Sequence, residues 1–515
     1  MNRTVSPLMI ALLAGVAWAG EKPGGGTSVT IYSSAAPGAI PPEMYRPTPG
    51  AAYSYAYQYR QPGVVPGFGI VRVDRPITLG GAVSEVKFTD VAALIDPTTV
   101  SFTCLTDPGT VVLEQNYQFD LVSNEKLLER FIDREVTATV IRGDHSETIT
   151  GVLLSSSPGG LILKTRDGLE LVNGYSGLSF ASLPEGLITR PTLVWKVKSP
   201  APGSQTARVS YETQGMTWWA DYNLLYADGK DENSGTLTVG AWVSILNQSG
   251  ASYGDATLKL VAGEVNRAPR GQNEQFLGMA RSSTARDDGG VAGFQEKSFF
   301  EYHLYTLGRP STLPDNSTKQ IELFPTAANV PCTKVIVYDG FGGEWWWGGT
   351  DPYTDAGPGT PTKKDVDVYV KFRNDAASGM GMPLPAGRIR MSKVDPADGG
   401  VEFIGEDVIR HTPKDEDVLV KVGKAFDLVG ERVVKNFEVD WDRRTMTETI
   451  EVKVRNHKAQ PVKVLVQERM YRWTGWKIAE KSHDYTKVDS RRVHFPLALK
   501  PGEEGVVTYT VVYSW

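Results

Sequence analysis

The sequence predicts a mainly β protein made of several β-sandwiches: an immunoglobulin-like sandwich at the C-terminus, a small SH3-like barrel as an insert, and one short helix. Three observations lead there. Apolar residues recur with period two through the C-terminal third. Five short strand-like runs separated by Gly-rich turns fill 135–182, and a helical apolar stripe occurs once. Alternation of that kind puts apolar side chains on one face of each strand, and two such sheets must bury those faces against each other.

The elements follow in chain order. Residues 1–19 have the layout of a secretory signal peptide, with Arg3 at a positive start, an apolar run from Leu8 to Val16, and Ala17-Trp18-Ala19 as a small-x-small cleavage site. The run is shorter than the roughly 20 residues that span a bilayer. The expectation is an exported protein with no transmembrane anchor, periplasmic or at the cell surface. Residues 20–68 form a Gly/Pro/Tyr-rich lead-in whose composition predicts flexibility. Tyr53, Tyr55, Tyr57 and Tyr59 within it have strand spacing, and TSVTIY (27–32) reads as a strand.

From Gly69 the pattern is β, giving an N-terminal β region over 69–133 that ends in the helix. Ser123 is placed to cap that helix, and Leu127, Leu128, Phe131 and Ile132 make a stripe to pack on a sheet. The runs EVTATVI, ETITGVLLS, GLILKT, LELV and GLSFASL predict the small barrel over 134–182. A middle sandwich follows over 183–330, interrupted by a polar, Gly-rich stretch, 268–296, that predicts a flexible loop. Trp218 and Trp219 sit in a strand-like context and read as core.

The C-terminal sandwich spans 331–515. Its inward positions are Val366, Val368, Val370 and Phe372, then Ile450, Val452 and Val454, then Val462, Val464 and Val466. Val493, Phe495, Leu497 and Leu499 follow, and Val507, Tyr509, Val511 and Tyr513 complete the set. Pro501-Gly502 predicts a hairpin between the last two strands.

A formal net charge of −6 with no basic block disfavours nucleic acid and anionic lipid as partners. Two cysteines, Cys104 and Cys332, leave both a disulfide and a pair of buried thiols open in an exported chain. There is no H-E-x-x-H and no Cys/His cluster, and no catalytic residue, metal or cofactor is expected.

Three constellations could carry a ligand. In Phe341 to Asp355, Trp345, Trp346 and Trp347 stand in a Gly-bounded loop followed by Asp351, Tyr353 and Asp355. Exposed tryptophans make a platform for sugar rings or an apolar partner, and the aspartates could bond hydroxyls; the alternative is a loop folded back over the end of a sandwich. The second is the charged run 410–417, where His411, Asp415 and Asp417 could bind a divalent cation or position a proton, or simply solvate a turn. The third is Arg455-Asn456-His457 with Arg472, Trp473 and Trp476, where His457 is the candidate ligand group and Asn-His is also good turn chemistry.

FIGEDVIRHTPKDEDVLVKVGKAFDLVGERVVKNF (403–437), with MPLPAGRIRM before it and VKVRNHKAQPVKVLV after it, resembles the mucoidy inhibitor A-like family of exported bacterial proteins, which carry a C-terminal domain of unknown function. Trp219-Ala-Asp-Tyr222, Leu260 to Arg267 and Phe299 to Phe324 resemble further blocks of it. The match runs over most of the chain from about Gly69 and looks like the compact type without a coiled coil. The resemblance implies a β-sandwich relative and no reaction, and the family offers no catalytic residues to carry over. The aromatic loop is outside its pattern.

Together these readings lead to an exported, non-enzymatic envelope protein that binds or scaffolds, with an envelope polysaccharide or envelope protein as partner. An alternative is a carbohydrate-binding or surface-adhesion protein using the aromatic loop. A second alternative is a hydrolase with an unrecognised carboxylate site.

Overall fold

Alternating β-branched and aromatic residues form strands over most of the described residues. The computed structural model describes residues 26–45, 65–142, 145–157, 159–263, 265–267, 294–299, 302–341, 351–357 and 363–515. Strands β1 to β5 are Thr27–Ser33, Gly67–Leu79, Ala82–Thr89, Ile95–Cys104 and Val111–Gln118. Strands β6 to β10 are Glu135–Arg142, His145–Ser157, Gly160–Thr165, Gly168–Val172 and Gly177–Phe180. Next come β11 to β15, at Thr192–Ser199, Gly203–Thr213, Met216–Asp228, Ser234–Asn247 and Tyr253–Ala262. β16 to β20 are Phe294–Phe299, Tyr302–Leu307, Ser311–Leu313, Ser317–Asp339 and Asp365–Arg373. β21 to β24 are Gly387–Val394, Val401–Ile409, Asp417–Asp440 and Thr445–Asn456. β25 to β29 are Val462–Arg469, Trp476–Lys481, Thr486–Lys487, Arg492–Leu499 and Glu504–Ser514. Helix α1 is the single turn Pro42–Tyr45 and α2 is Asn124–Arg130. Among the described residues no helix is long and apolar enough to cross a membrane.

The largest core lies between an eight-stranded sheet, ordered β16-β17-β15-β1-β2-β12-β4 with β18 on β15, and the β13–β14–β19 part of a thirteen-stranded sheet. A small sheet, β3-β11-β5, adds Trp195, whose buried ring meets Phe88 and Phe102. Within the lead-in 20–68, TSVTIY forms a strand as its pattern predicts. β1 is a central strand, antiparallel to β2 and parallel to β15. Ile40 and Val65 are then buried against Trp219 and Leu246, with Tyr45 packed on the Trp219 ring. The physical reason for the central place of β1 is that one strand's worth of backbone donors would otherwise face a gap between β2 and β15. The tyrosines at 53 to 59 and residues 268–293 lie outside the described residues, and β16 begins inside the expected loop, at Phe294.

Helix α2 and β6–β10 form a separate unit with its own core. Ser123 Oγ accepts the Lys126 N–H at 3.3 Å, as a cap should, and Phe131 is buried against the sheet. The strand order is β10-β6-β7-β8-β9, and the two outer strands β9 and β10 share no ladder, so this is an open antiparallel sheet rather than a closed barrel.

In the C-terminal sandwich the second half of β23 runs beside β24, β29 and β26, facing β25, β28 and β27 across a core that takes all of the inward residues expected on β24, β25, β28 and β29. β20 behaves differently: Val366 enters this core while Val370 and Phe372 enter the larger one. The division expected at 330/331 falls inside β19, which likewise supplies Val330 to one core and Ile336 and Tyr338 to the other.

Pro501-Gly502 does not make a hairpin. β28 pairs with β25 and β29 pairs with β24, so the turn arches from one layer to the other. Asn456, buried at the parallel arch between β24 and β25, ties the two together by donating from Nδ2 to the Gln460 and Lys500 carbonyls at 3.0 Å each.

Where β19 and β23 converge, Gly430 lies directly under the buried Tyr338 ring, whose hydroxyl donates to the Lys363 carbonyl at 2.7 Å. A methyl group at 430 would occupy the space of that ring. Gly430→Ala is expected to lower stability by about 1–3 kcal/mol, read as a fall in the urea midpoint. The cysteines answer a second test. Cys104 and Cys332 are both buried and free, and burial pushes the Cys332 thiol up to about 11. Neither should react with a thiol reagent in the native protein. Both should react in denaturant without any reductant; labelling that needs a reductant would contradict the free thiols.

Candidate functional site

Two strands of the C-terminal sandwich carry charge where their alternation calls for an apolar residue. On β24 the inward series is Met446, Glu448, Ile450, Val452 and Val454. On β25 and the turn beyond it the series is Val462, Val464, Val466, Glu468, Met470 and Arg472. β23 adds Arg432 two residues after Gly430.

These four charges meet as two ion pairs with essentially no solvent exposure. Arg432 Nε donates to both oxygens of Glu468 at 3.2 and 3.0 Å, and the Tyr509 hydroxyl donates to Glu468 Oε2 at 2.6 Å. Arg472 Nη2 donates to Glu448 Oε1 at 3.0 Å, and the Tyr471 hydroxyl donates to the same oxygen at 2.6 Å. Burial pushes both phenols up, the carboxylate beside each (Glu448 for Tyr471, Glu468 for Tyr509) adds to the shift, and they remain donors at neutral pH. Burial by itself would lower the Arg432 guanidinium, and Glu468 in contact more than reverses that, so the arginine stays charged.

The Arg472 pair reaches outward to the aromatic segment. Arg472 Nη1 donates to the carbonyls of Tyr353, at 3.1 Å, and Asp355, at 2.7 Å, while the Tyr353 N–H donates to the Arg472 carbonyl at 3.0 Å. The guanidinium carbon sits 3.8 Å above the centre of the Phe437 ring, within cation–π range. At the other end of the segment Phe341 is buried, with its ring 4.7 Å from that of Tyr471. The segment 341–355 is thus held at both ends against one buried charge cluster. Asp351 and Asp355 are exposed and Tyr353 is half-buried. Trp345, Trp346 and Trp347 lie outside the described residues.

The remaining candidate residues engage other parts of the chain. Asp417 pairs with Lys371 at 2.8 Å and lies 3.7 Å from Arg373, both on β20. Asp415 turns the chain with φ 63° and donates its N–H to the Asn374 carbonyl at 2.7 Å. His411 is exposed and accepts the Ala386 N–H on Nδ1 at 3.0 Å. His457 is exposed in the β24–β25 arch, where its N–H donates to the Asp427 carbonyl at 2.9 Å. Of that constellation Arg472 belongs to the charge cluster, and Trp476 Nε1 donates to the Ser490 carbonyl at 2.8 Å. Among the described residues no group of three or more His, Cys, Asp or Glu could hold a metal ion.

Sequence reasoning missed two arrangements. The charge cluster had a signal: extending the period-two phase of Ile450 and Val466 lands on Glu448, Glu468 and Arg472. The other is an open depression of about 280 Å³ on the outer face of the middle sheet, lined by Asp221, Asn223, Trp242, Gln320 and Arg390. These come from four strands that no local pattern links. No family model, curated protein or solved structure matches the chain.

Truncating one member of a buried pair strands its partner's charge, at a cost of about 3–5 kcal/mol, whereas replacing both by apolar groups is close to neutral. Arg472→Met should therefore destabilise strongly, and Arg472→Met with Glu448→Leu should regain most of the loss in a denaturant titration.

Proposed function

We propose that the protein is an exported, non-enzymatic binding or scaffolding protein of the cell envelope, acting through the segment 341–355. One observation carries this reading: the sandwich holds that segment at both ends on the buried Arg472–Glu448 cluster. A buried ion pair gives a fold no more stability than apolar side chains of the same volume, and its best use is to select one arrangement of the chain around it. Here the arrangement selected is that of Tyr353 and Asp355, which follow the three tryptophans in the sequence. The signal-like first 19 residues and the resemblance to a family of exported proteins support export.

A carbohydrate partner is the favoured chemistry for this segment. The exposed carboxylates of Asp351 and Asp355 can accept from hydroxyls, and tryptophan faces stack on the apolar faces of sugar rings.

Co-sedimentation of the purified protein with peptidoglycan, outer-membrane vesicles and extracellular polysaccharide tests the reading. Saturable binding to one of them is expected, weakened roughly tenfold or more in Trp345→Ala with Trp347→Ala, the size of loss typical of an interface anchor. Binding that the double variant leaves unchanged, or none to any fraction, would sink it.

A further inference from the structure

The middle sheet offers a second site, far in sequence from the aromatic segment and built from described residues throughout. β14 is buried or half-buried along its length apart from Trp242, which is 40% exposed. Trp242 lies directly opposite Asp221 on β13 and Glu322 on β19. Two residues earlier on the same face, Gly240 brings no side chain, and a Cβ built there would meet nothing nearer than 3.8 Å. The indole therefore borders an open depression rather than a packed neighbour.

The polar groups around it are already oriented. Asp221 is 7% exposed, and its Oδ2 accepts from the Trp219 indole N–H at 2.8 Å. Its Oδ1 accepts from Arg388 Nε at 3.3 Å and lies 3.5 Å from Arg390 Nη1. Arg390 Nε is 3.6 Å from Glu406. Gln320 lines the depression and donates to Ser244 Oγ at 3.1 Å, and Asn223 is exposed. Arg390, itself 35% exposed, is turned by these carboxylates toward the space over Trp242.

We infer that this depression binds one unit of a neutral saccharide. A sugar ring has an apolar CH face that stacks on an indole and hydroxyls that both donate and accept. Asn223 and Gln320 supply amides able to do both, and Arg390 adds donors. Charge does not favour an ionic ligand: Arg388 and Arg390 are balanced by Asp221, Glu406 and the neighbouring Glu322. At about 280 Å³ and open to solvent, the space is at the small end of ligand sites, room for one ring of a longer chain. This site is independent of the 341–355 segment.

The test is calorimetric titration of the full exported chain with neutral trisaccharides (cellotriose, maltotriose, mannotriose and tri-N-acetylchitotriose), with trigalacturonate as a charged comparison. At least one neutral trimer should bind saturably at millimolar concentration or below, and Trp242→Ala should weaken it about tenfold or more, the loss expected of an aromatic anchor. Asn223→Ala changes an exposed side chain, keeps the fold, and should weaken the same trimer. Trp345→Ala with Trp347→Ala should leave it unchanged, which separates this site from the one proposed above. The inference is overturned if no neutral trimer binds, if only trigalacturonate binds, or if Trp242→Ala and Asn223→Ala bind like the parent.

Discussion

Three strands, β19, β20 and β23, are shared between two cores, and the two long ones, β19 and β23, constrain the rest of this molecule. β19 and β23 are 23 and 24 residues long, well beyond the usual strand. Each begins in the core of the middle sheets and ends in that of the C-terminal sandwich. A slip of one residue in either would turn every side chain to the wrong face in both cores at once. The seam between them is sealed by the β13–β14 turn. Asn233 Nδ2 donates to the Lys334 and Lys463 carbonyls at 3.0 and 3.2 Å, and Glu232 accepts from Lys334 and Lys458. Gly430 permits the close approach of β23 to Tyr338 that brings the strands together.

The charge cluster of the C-terminal sandwich depends on that geometry. Arg432 comes from β23, Glu448 from its neighbour β24, and Glu468 from β25, which is placed by its parallel pairing with the end of β19. Four charges in a core otherwise made of aliphatic, methionine and aromatic side chains give little net stability. They give direction: Arg472 has its carboxylate inside and two backbone carbonyls outside, so the chain from Tyr353 to Asp355 follows from packing many residues away.

Much of this architecture was legible in the sequence because the steric rule behind it is local. Successive side chains of a strand point to opposite faces, so Ile450, Val452 and Val454 declare their inward side without reference to any partner. The cap at Ser123 and the stripe of α2 are equally local. Glu448 and Glu468 were legible in the same way, since they fall in phase with those apolar series, but a charge in phase reads as an interruption until its partner is known. β20 misled the reading because its inward residues are uniform in type while the cores they enter are not.

The sequence by itself determined most of the strands, the apolar faces of β24, β25, β28 and β29, and where α2 starts. Only the tertiary structure decided which strands pair. It made Pro501-Gly502 an arch between layers instead of a hairpin, put TSVTIY at the centre of a sheet, and left β9 and β10 unjoined. It also decided which side chains share a site: Arg472 with Glu448, and Trp242 with Asp221, Gln320 and Arg390. The reason is that turn chemistry and alternation act over a few residues, whereas pairing is settled by the non-local burial of whole faces, to which a local pattern is blind.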